Sequence, residues 1–295
     1  HCHTRRQRQM CIRDSSKNVV DNFTQMYAQG LTPNPCVECN RSVKFDHFIT
    51  QAKKLNCDKV ATGHYAKIIK KNNEFELHKA DYLDKDQSYV LHMLKSSDLE
   101  NISFPLGEIS KPEVRQIAAR IGLKTAFKKD SQDICFVGKK DYRSFVEKRI
   151  DLTSPGEIFD IEGNKVGDHN GIHEFTVGQR KGLPGGYGTP RYVTKINVQN
   201  KNVTIGEKKD LLVSSFIVEE LSCVNDLEYK NLTIQTRYNS EDLPCEIKKL
   251  SDTKVLVQLK EPAFGVAPGQ FGVIYNGTKV VCGGRISPKV LENIG

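Results

Sequence analysis

The chain has no tryptophan, so aromatic packing falls to 13 Phe and 10 Tyr. No apolar run approaches the roughly 20 residues that a membrane helix needs, which argues against a spanning segment and a membrane partner. No signal-peptide pattern is visible in these residues. The first residue is His1 rather than Met, so this says nothing of targeting. There is one Cys-x-x-Cys and no second, which argues against a four-cysteine zinc site. Nine cysteines, odd in number and irregular in spacing, do not form a secreted disulfide framework. A reducing, cytoplasmic setting fits them better. The 295 residues suffice for two or three domains, and 38% hydrophobic content can support packed cores. A net charge of +8, from 44 basic and 36 acidic residues, suits an anionic partner.

What is present is organised around Leu31-Thr32-Pro33-Asn34-Pro35-Cys36-Val37-Glu38-Cys39-Asn40-Arg41. Two prolines hold the backbone extended before Cys36. Phe45, Phe48, Ile49, Ala52 and Leu55 then recur at helical spacing. A thiol at a helix start meets free N–H groups and the helix dipole, which favour a nucleophilic thiolate. The pair could equally be buried packing residues. The polar flank of Asn34, Glu38, Asn40 and Arg41 tips the balance toward a reactive site.

Before this stretch, residues 1–14 show no periodicity, and 7–14 resemble translated adapter sequence; they are expected to be an artefactual segment. Residues 18–29 read as a helix stopped by Gly30. After it, 59–62 reads as a short strand running into Gly63-His64-Tyr65. In α/β sheets ligands sit beyond the carboxyl ends of strands, where Gly63 and His64 fall. A capped turn histidine explains His64 equally well. Residues 66–69 and 75–78 look like a hairpin. Lys85 and Gln87, beside Asp86, could contact phosphate or base, although a solvated start to a helix through Val90, Leu91 and Leu94 accounts for them. Ser110-Lys111-Pro112-Glu113 is a capping box opening a helix to Gly122. Residues 130–138 read as a polar loop entering a strand, with Cys135 either a core residue or a neighbour of Cys36 and Cys39. A helix is expected over 141–150.

At Ser154-Pro155-Gly156 helical patterns give way to short alternating strands. Five glycines between 178 and 188, with Arg180, Lys181 and Tyr187, form either a ligand loop or a plain connection. Six strands expected over 216–220, 232–237, 245–249, 255–259, 272–275 and 279–283 suggest a small β-barrel.

Five motifs occur in order: Thr32-Pro33-Asn34-Pro35-Cys36-Val37-Glu38-Cys39-Asn40, Thr62-Gly63-His64-Tyr65-Ala66, Lys85-Asp86-Gln87-Ser88-Tyr89, Asp130-Ser131-Gln132-Asp133-Ile134-Cys135-Phe136 and Gly178-Gln179-Arg180-Lys181-Gly182-Leu183. From about residue 18 to about 287, the chain resembles the tRNA-specific 2-thiouridylase (tRNA-uridine 2-sulfurtransferase) family. The resemblance implies an α/β fold: an ATP-pyrophosphatase-type (adenine nucleotide alpha hydrolase-like) parallel sheet domain over 15–150, a small central domain over 151–209 and a C-terminal β-barrel over 210–295. It implies ATP-dependent replacement of the C2 oxygen of the wobble uridine, position 34 of tRNA, by sulfur. ATP, with Mg2+, adenylates that oxygen, and a persulfide supplies sulfur. Cys39 matches the nucleophile, Cys135 the persulfide carrier and Gly63 an ATP contact. His64, Lys85, Asp86, Gln87, Arg237, Tyr238 and Gln270 match tRNA contacts, and Asn34, Pro35 and Cys36 border the target base. A cysteine desulfurase or sulfur relay protein is the implied donor.

Two departures stand out. The family's Ser-Gly-Gly-x-Asp-Ser phosphate loop is absent from these 295 residues, so the chain alone is expected to bind ATP poorly and not to thiolate, with the loop encoded upstream. Many members carry Asp where this chain has Cys36; Cys36, Cys39 and Cys135 could instead ligate an iron–sulfur cluster. A non-catalytic tRNA-binding protein is the competing reading, and a thiol–disulfide oxidoreductase ranks last.

Overall fold

The computed structural model describes residues 19–128, 134–137, 142–150, 154–186, 188–222 and 230–288. The proposed artefactual segment, Asp130 to Asp133, Gly138 and Tyr187 lie outside them.

Helix α1 (Asp21–Ala28) buries Phe23, Met26 and Tyr27 and ends at Gly30, whose φ of +66° suits a residue without Cβ. Asn34 then caps α2 (Pro35–Glu38) by accepting a hydrogen bond from the Cys36 amide at 3.2 Å, with Pro35 in the first turn. The helical run continues through a π-helical segment (Cys39–Phe45) into α3 (Asp46–Lys54). The sequence spacing predicts one buried apolar stripe here. Phe45 is buried, whereas Phe48 and Leu55 are exposed, because the π segment rotates α3 away from the register of a continuous α-helix.

Strand β1 (Val60–Ala61) pairs in parallel with β4 (Ile102–Ser103), giving the expected parallel element. Between them β2 (Ala66–Lys71) and β3 (Glu74–Lys79) form the expected hairpin. Its turn is tighter than the sequence suggests: Asn72 and Asn73 both adopt positive φ, which asparagine tolerates. The helix expected after Gln87 is instead a 3-10 turn over Ser88–Leu91. All four of those residues are buried, so no polar face marks a helical period. Helix α4 (Ser96–Leu99) is short. The capping box of α5 (Lys111–Arg120) forms as expected. Since α5 buries no side chain, Ser110→Ala, at about 1 kcal/mol, should cut hydrogen-exchange protection of its amides by roughly fivefold without moving the global midpoint.

Residues 134–137 form a turn rather than the start of a strand, and α6 (Tyr142–Glu147) comes next. Ile134 and Phe136 pack on Phe23, Tyr27 and Val146, so side-chain anchoring on two helices, not sheet pairing, holds this segment. Beyond it, β5 (Gly156–Asp160), β6 (Lys165–His169), β7 (Tyr192–Asn197) and β8 (Asn202–Gly206) make a four-stranded sheet in the order β6-β5-β8-β7. Its own core is Ile158, Val193, Val203 and Ile205.

All six C-terminal strands form: β9 (Leu212–Glu219), β10 (Leu232–Gln235), β11 (Leu243–Ser251), β12 (Lys254–Phe264), β13 (Phe271–Asn276) and β14 (Lys279–Ile286). The order β13-β10-β11-β12-β9-β14, closed by β13 on β14, makes an antiparallel barrel. Alternating Phe216, Val218, Val255 and Val257 fill it. The hairpin β2–β3 joins the same sheet through His78 opposite Lys279, and Lys79 pairs with Asp242 at 2.6 Å. Val37 and Phe45 of the cysteine helix share one core with Phe271, Tyr275 and Val280 of the barrel.

Candidate functional site

The cysteine segment is fastened to the barrel from several directions. The Thr32 amide donates to Pro268 O at 2.9 Å. The buried carboxylate of Glu38 accepts from Arg41 at 2.7 Å and from Arg285 of β14 at 3.3 Å. Asn40 Nδ2 donates to Val90 O at 3.0 Å, and Tyr89 Oη donates to Phe271 O at 2.8 Å. These buried polar bonds fix the helix that carries Cys36 and Cys39, since each would be costly to leave unmade.

Cys36 is exposed, Cys39 half-buried and Cys135 exposed, and all three are free thiols. Ile134 and Phe136 point into the α1–α6 cluster, with Phe136 5.3 Å from Phe23, so Cys135 rides an anchored turn. Although the Cys36 residue is exposed overall, protein atoms crowded around its sulfur desolvate it and raise the thiol above its usual range, and the negative charge of Cys135 and then of Cys39 adds to this. Burial likewise raises Cys39, with Cys135 adding and Lys44 opposing. Burial thus works against the dipole-stabilised thiolate expected from sequence. Cys39 falls at the end of four-residue α2 rather than in its first turn, and the dipole acts only over that turn.

Gly63 is exposed just past the carboxyl end of β1. His64 is buried, with Nδ1 2.8 Å from Thr62 Oγ1 and Nε2 3.4 Å from Lys44 Nζ. Burial first, then the Lys44 charge, lowers its pKa to about 4. His92, fully enclosed beneath β14, is lowered by burial to about 4 as well. Both are neutral when folded and gain protons more readily when unfolded. Their contribution, roughly 3 kcal/mol each, is complete above the unfolded pKa of about 6.5 and is lost as pH falls toward about 4. Urea midpoints should therefore drop across that window. Asp86, raised chiefly by burial, works in the opposite sense.

The remaining sequence candidates divide. Asp86 is buried, its carboxylate accepting from the Ala80 and Ser88 amides and from Ser88 Oγ, so it shapes the loop rather than facing outward. Gln87 is joined to Tyr65 through both side chain and backbone, while Lys85 sits half-buried in a 3-10 turn. Arg237 and Tyr238 are exposed after β10, and Tyr238 lies 6.2 Å from Tyr89, ring to ring. Gln270 holds the entrance to β13, its carbonyl accepting from the Ile286 amide at 2.7 Å. Arg180 and Lys181 are exposed on the glycine loop; a Cβ built on Gly178 would lie 3.9 Å from Gly265 Cα, beside Arg237. Residues the sequence reading missed are Lys44, Thr62 and the Glu38–Arg285 pair. Lys44 lies five positions after Cys39, the i→i+5 step of a π-helix, which an α-helical search passes over.

For the implied groups, the donors fit unevenly. The exposed Gly63 edge suits a nucleotide, but the sequence supplies no glycine-rich phosphate turn with it. Among the described residues, the three-donor group compact enough for a single ion is Glu147, His173 and Glu174. No helix among the described residues is long and apolar enough to cross a membrane.

Three family models match in chain order: the tRNA methyl transferase HUP domain over residues 8–139, the tRNA methyl transferase PRC-barrel domain over 143–207 and the aminomethyltransferase beta-barrel domain over 213–286. Fold and site thus define a three-part HUP, PRC-barrel and β-barrel protein. The chain is 42% identical over 280 residues to the tRNA-specific 2-thiouridylase MnmA of Chloroflexus aurantiacus, covering 93% of this chain and 78% of that protein. It is 41% identical over 279 residues to the protein of that name in Rickettsia prowazekii, with the same coverage. The chain belongs to the tRNA-specific 2-thiouridylase family.

Proposed function

We propose that this protein is a tRNA-uridine 2-sulfurtransferase acting on the wobble uridine, with modules over 15–150, 151–209 and 210–295. The observation that carries the reading is the 42% identity to a tRNA-specific 2-thiouridylase over 93% of the chain, and it is supported by the charge of Cys135 acting on Cys36 and Cys39 despite their separation in sequence. Thiols brought together this way suit sulfur relay.

In this reading, ATP is a substrate: the uridine C2 oxygen takes its adenylyl group and pyrophosphate leaves. A sulfur-donor protein, a cysteine desulfurase or relay protein, loads Cys135 as a persulfide. Its terminal sulfur attacks C2, the C–O bond breaks, and AMP departs with the oxygen. The base is then joined to Cys135 through a disulfide. Cys39 gives up its proton and attacks Cys135 Sγ, forming a Cys39–Cys135 disulfide and expelling 2-thiouridine, whose departing sulfur takes up a proton in exchange. A thiol reductant returns both cysteines to the reduced state. Cys36, whose thiol is held protonated at neutral pH, donates a hydrogen bond rather than acting as a base. Gly63 offers open backbone to the nucleotide, and Mg2+ would neutralise its phosphates. Arg180, Lys181, Arg237 and Tyr238 provide exposed cationic and aromatic groups for RNA, with Lys85 and Gln270 at the edges. Reaching C2 needs the base turned out of its stack. The site of action is the cytoplasm.

The test is incubation with unmodified tRNA, ATP, magnesium and a persulfide donor, read as 2-thiouridine by nucleoside mass spectrometry. The full-length gene product and residues 1–295 are run side by side, with product expected only from the first. Tight tRNA binding without product from either would favour the non-catalytic reading. The same proximity of three thiols suits an iron–sulfur cluster; iron and sulfide in anaerobically purified active protein would support it, and metal-free activity would exclude it.

A further inference from the structure

His64 has two ring nitrogens, and both are engaged. Nε2 lies 3.4 Å from Lys44 Nζ, and Nδ1 lies 2.8 Å from Thr62 Oγ1. An ammonium carries donors and no acceptor. Nε2 must therefore offer its lone pair to Lys44, which leaves the single proton of a neutral imidazole on Nδ1, donated to Thr62. The ring is buried, with Phe45 at 5.7 Å and Phe104 at 6.0 Å between centroids. Among the described residues, the charge that acts on the ring is that of Lys44.

We propose that Lys44 is a positioning residue: it fixes His64 as the neutral, Nδ1-protonated tautomer and sets a permanent positive charge between the end of β1 and the cysteine helix. The π-helical segment makes this possible, turning Lys44 toward β1 while Cys39 begins the same segment. Lys44 is also the charge that opposes the upward shift of both Cys36 and Cys39. A fixed cation there suits a reaction whose nucleophile and leaving group are both anionic. That use rests on the sulfur-transfer reading; the tautomer does not. One consequence is that any contact of His64 with RNA is not ionic.

The test is 15N NMR of histidine-labelled protein, in which a His64→Asn variant assigns the His64 signals. Wild type should show a neutral ring protonated at Nδ1, unchanged as pH falls from about 8 to about 5. Lys44→Met should lose that signature, and Lys44→Arg, another pure donor, should restore it. In the thiouridine assay Lys44→Met should lower kcat by about tenfold with KM for tRNA little changed. A wild-type ring protonated at Nε2 or at both nitrogens overturns the proposal without need of any variant. So does a Lys44→Met protein that keeps the Nδ1–H signature or the wild-type rate. A tautomer that tracks Lys44 in a protein making no thiouridine would remove the sulfur-transfer reading and leave the positioning role standing.

Discussion

Cys39→Ser and Cys135→Ser are each expected to abolish 2-thiouridine formation, by about a thousandfold or more, while tRNA affinity stays within about twofold. A serine hydroxyl neither carries a persulfide nor reduces one, so the two losses should be of one size. The double variant should be no worse than either single one, because in the proposed relay the two sulfurs act in one step. Trapping sharpens the result. Cys39→Ser should accumulate tRNA linked to Cys135 by a thiol-reducible bond, whereas Cys135→Ser should accumulate none. Cys57 is exposed on the loop after α3, and Cys57→Ser is the matched control expected to retain activity. Nucleoside mass spectrometry and filter binding on the same preparations read both quantities. Wild-type activity in Cys135→Ser would end the relay mechanism.

The second large effect is on stability and on the site together. Gly269 lies in the barrel loop against which the cysteine segment rests. Its φ is +89°, and a Cβ there would lie 2.8 Å from Leu31 Cβ and 2.9 Å from the Thr32 amide nitrogen. Those atoms belong to backbone or to the first side-chain carbon, so they cannot swing aside. Gly269→Ala therefore combines left-handed strain with a forced separation of the two layers, each typically about 1–3 kcal/mol. The expected loss is about 2–5 kcal/mol in urea unfolding, together with a fall in thiouridine yield as Thr32 is pushed off Pro268. Gly277 supplies an internal comparison. It too has positive φ, +60°, but nothing lies within 4 Å of a Cβ built there. Gly277→Ala should cost only the backbone term, about 1 kcal/mol, and leave activity intact. Equal costs at the two positions would show that the contact with Leu31 and Thr32 does not bear on stability.

Much of this arrangement was legible in the residues. The barrel strands announce themselves by alternation, since every second side chain must point inward. Ser110 and Glu113 specify a helix start through bonds between near neighbours. What escaped was set by tertiary partners. The segment 88–91 is buried on every side, so it has no periodic face to betray its 3-10 form. Cys135 could be linked to Cys36 and Cys39 only by family resemblance, because nothing between them fixes how the chain returns. Lys44 was missed because its relation to Cys39 is a π-helical step. Asp86 read as a surface acid, yet its carboxylate serves the Ala80 and Ser88 amides inside the protein.

The attachment of the hairpin and cysteine helix to the barrel also sets a time order. Lys279 of β14 pairs with His78, Arg285 closes on Glu38, and the Gly269 amide bonds to Ile286. On the ribosome, the early strands and the early helix emerge long before these partners exist. Until β14 has left the exit tunnel, Glu38 has no Arg285, and the hairpin presents an open edge. The helix that carries Cys36 and Cys39 is thus not held in its final position until β14 has been made. A chain released before β14 would carry Cys36 and Cys39 on a helix that lacks its Arg285 anchor, so thiols far apart in sequence from that strand depend on it for their placement.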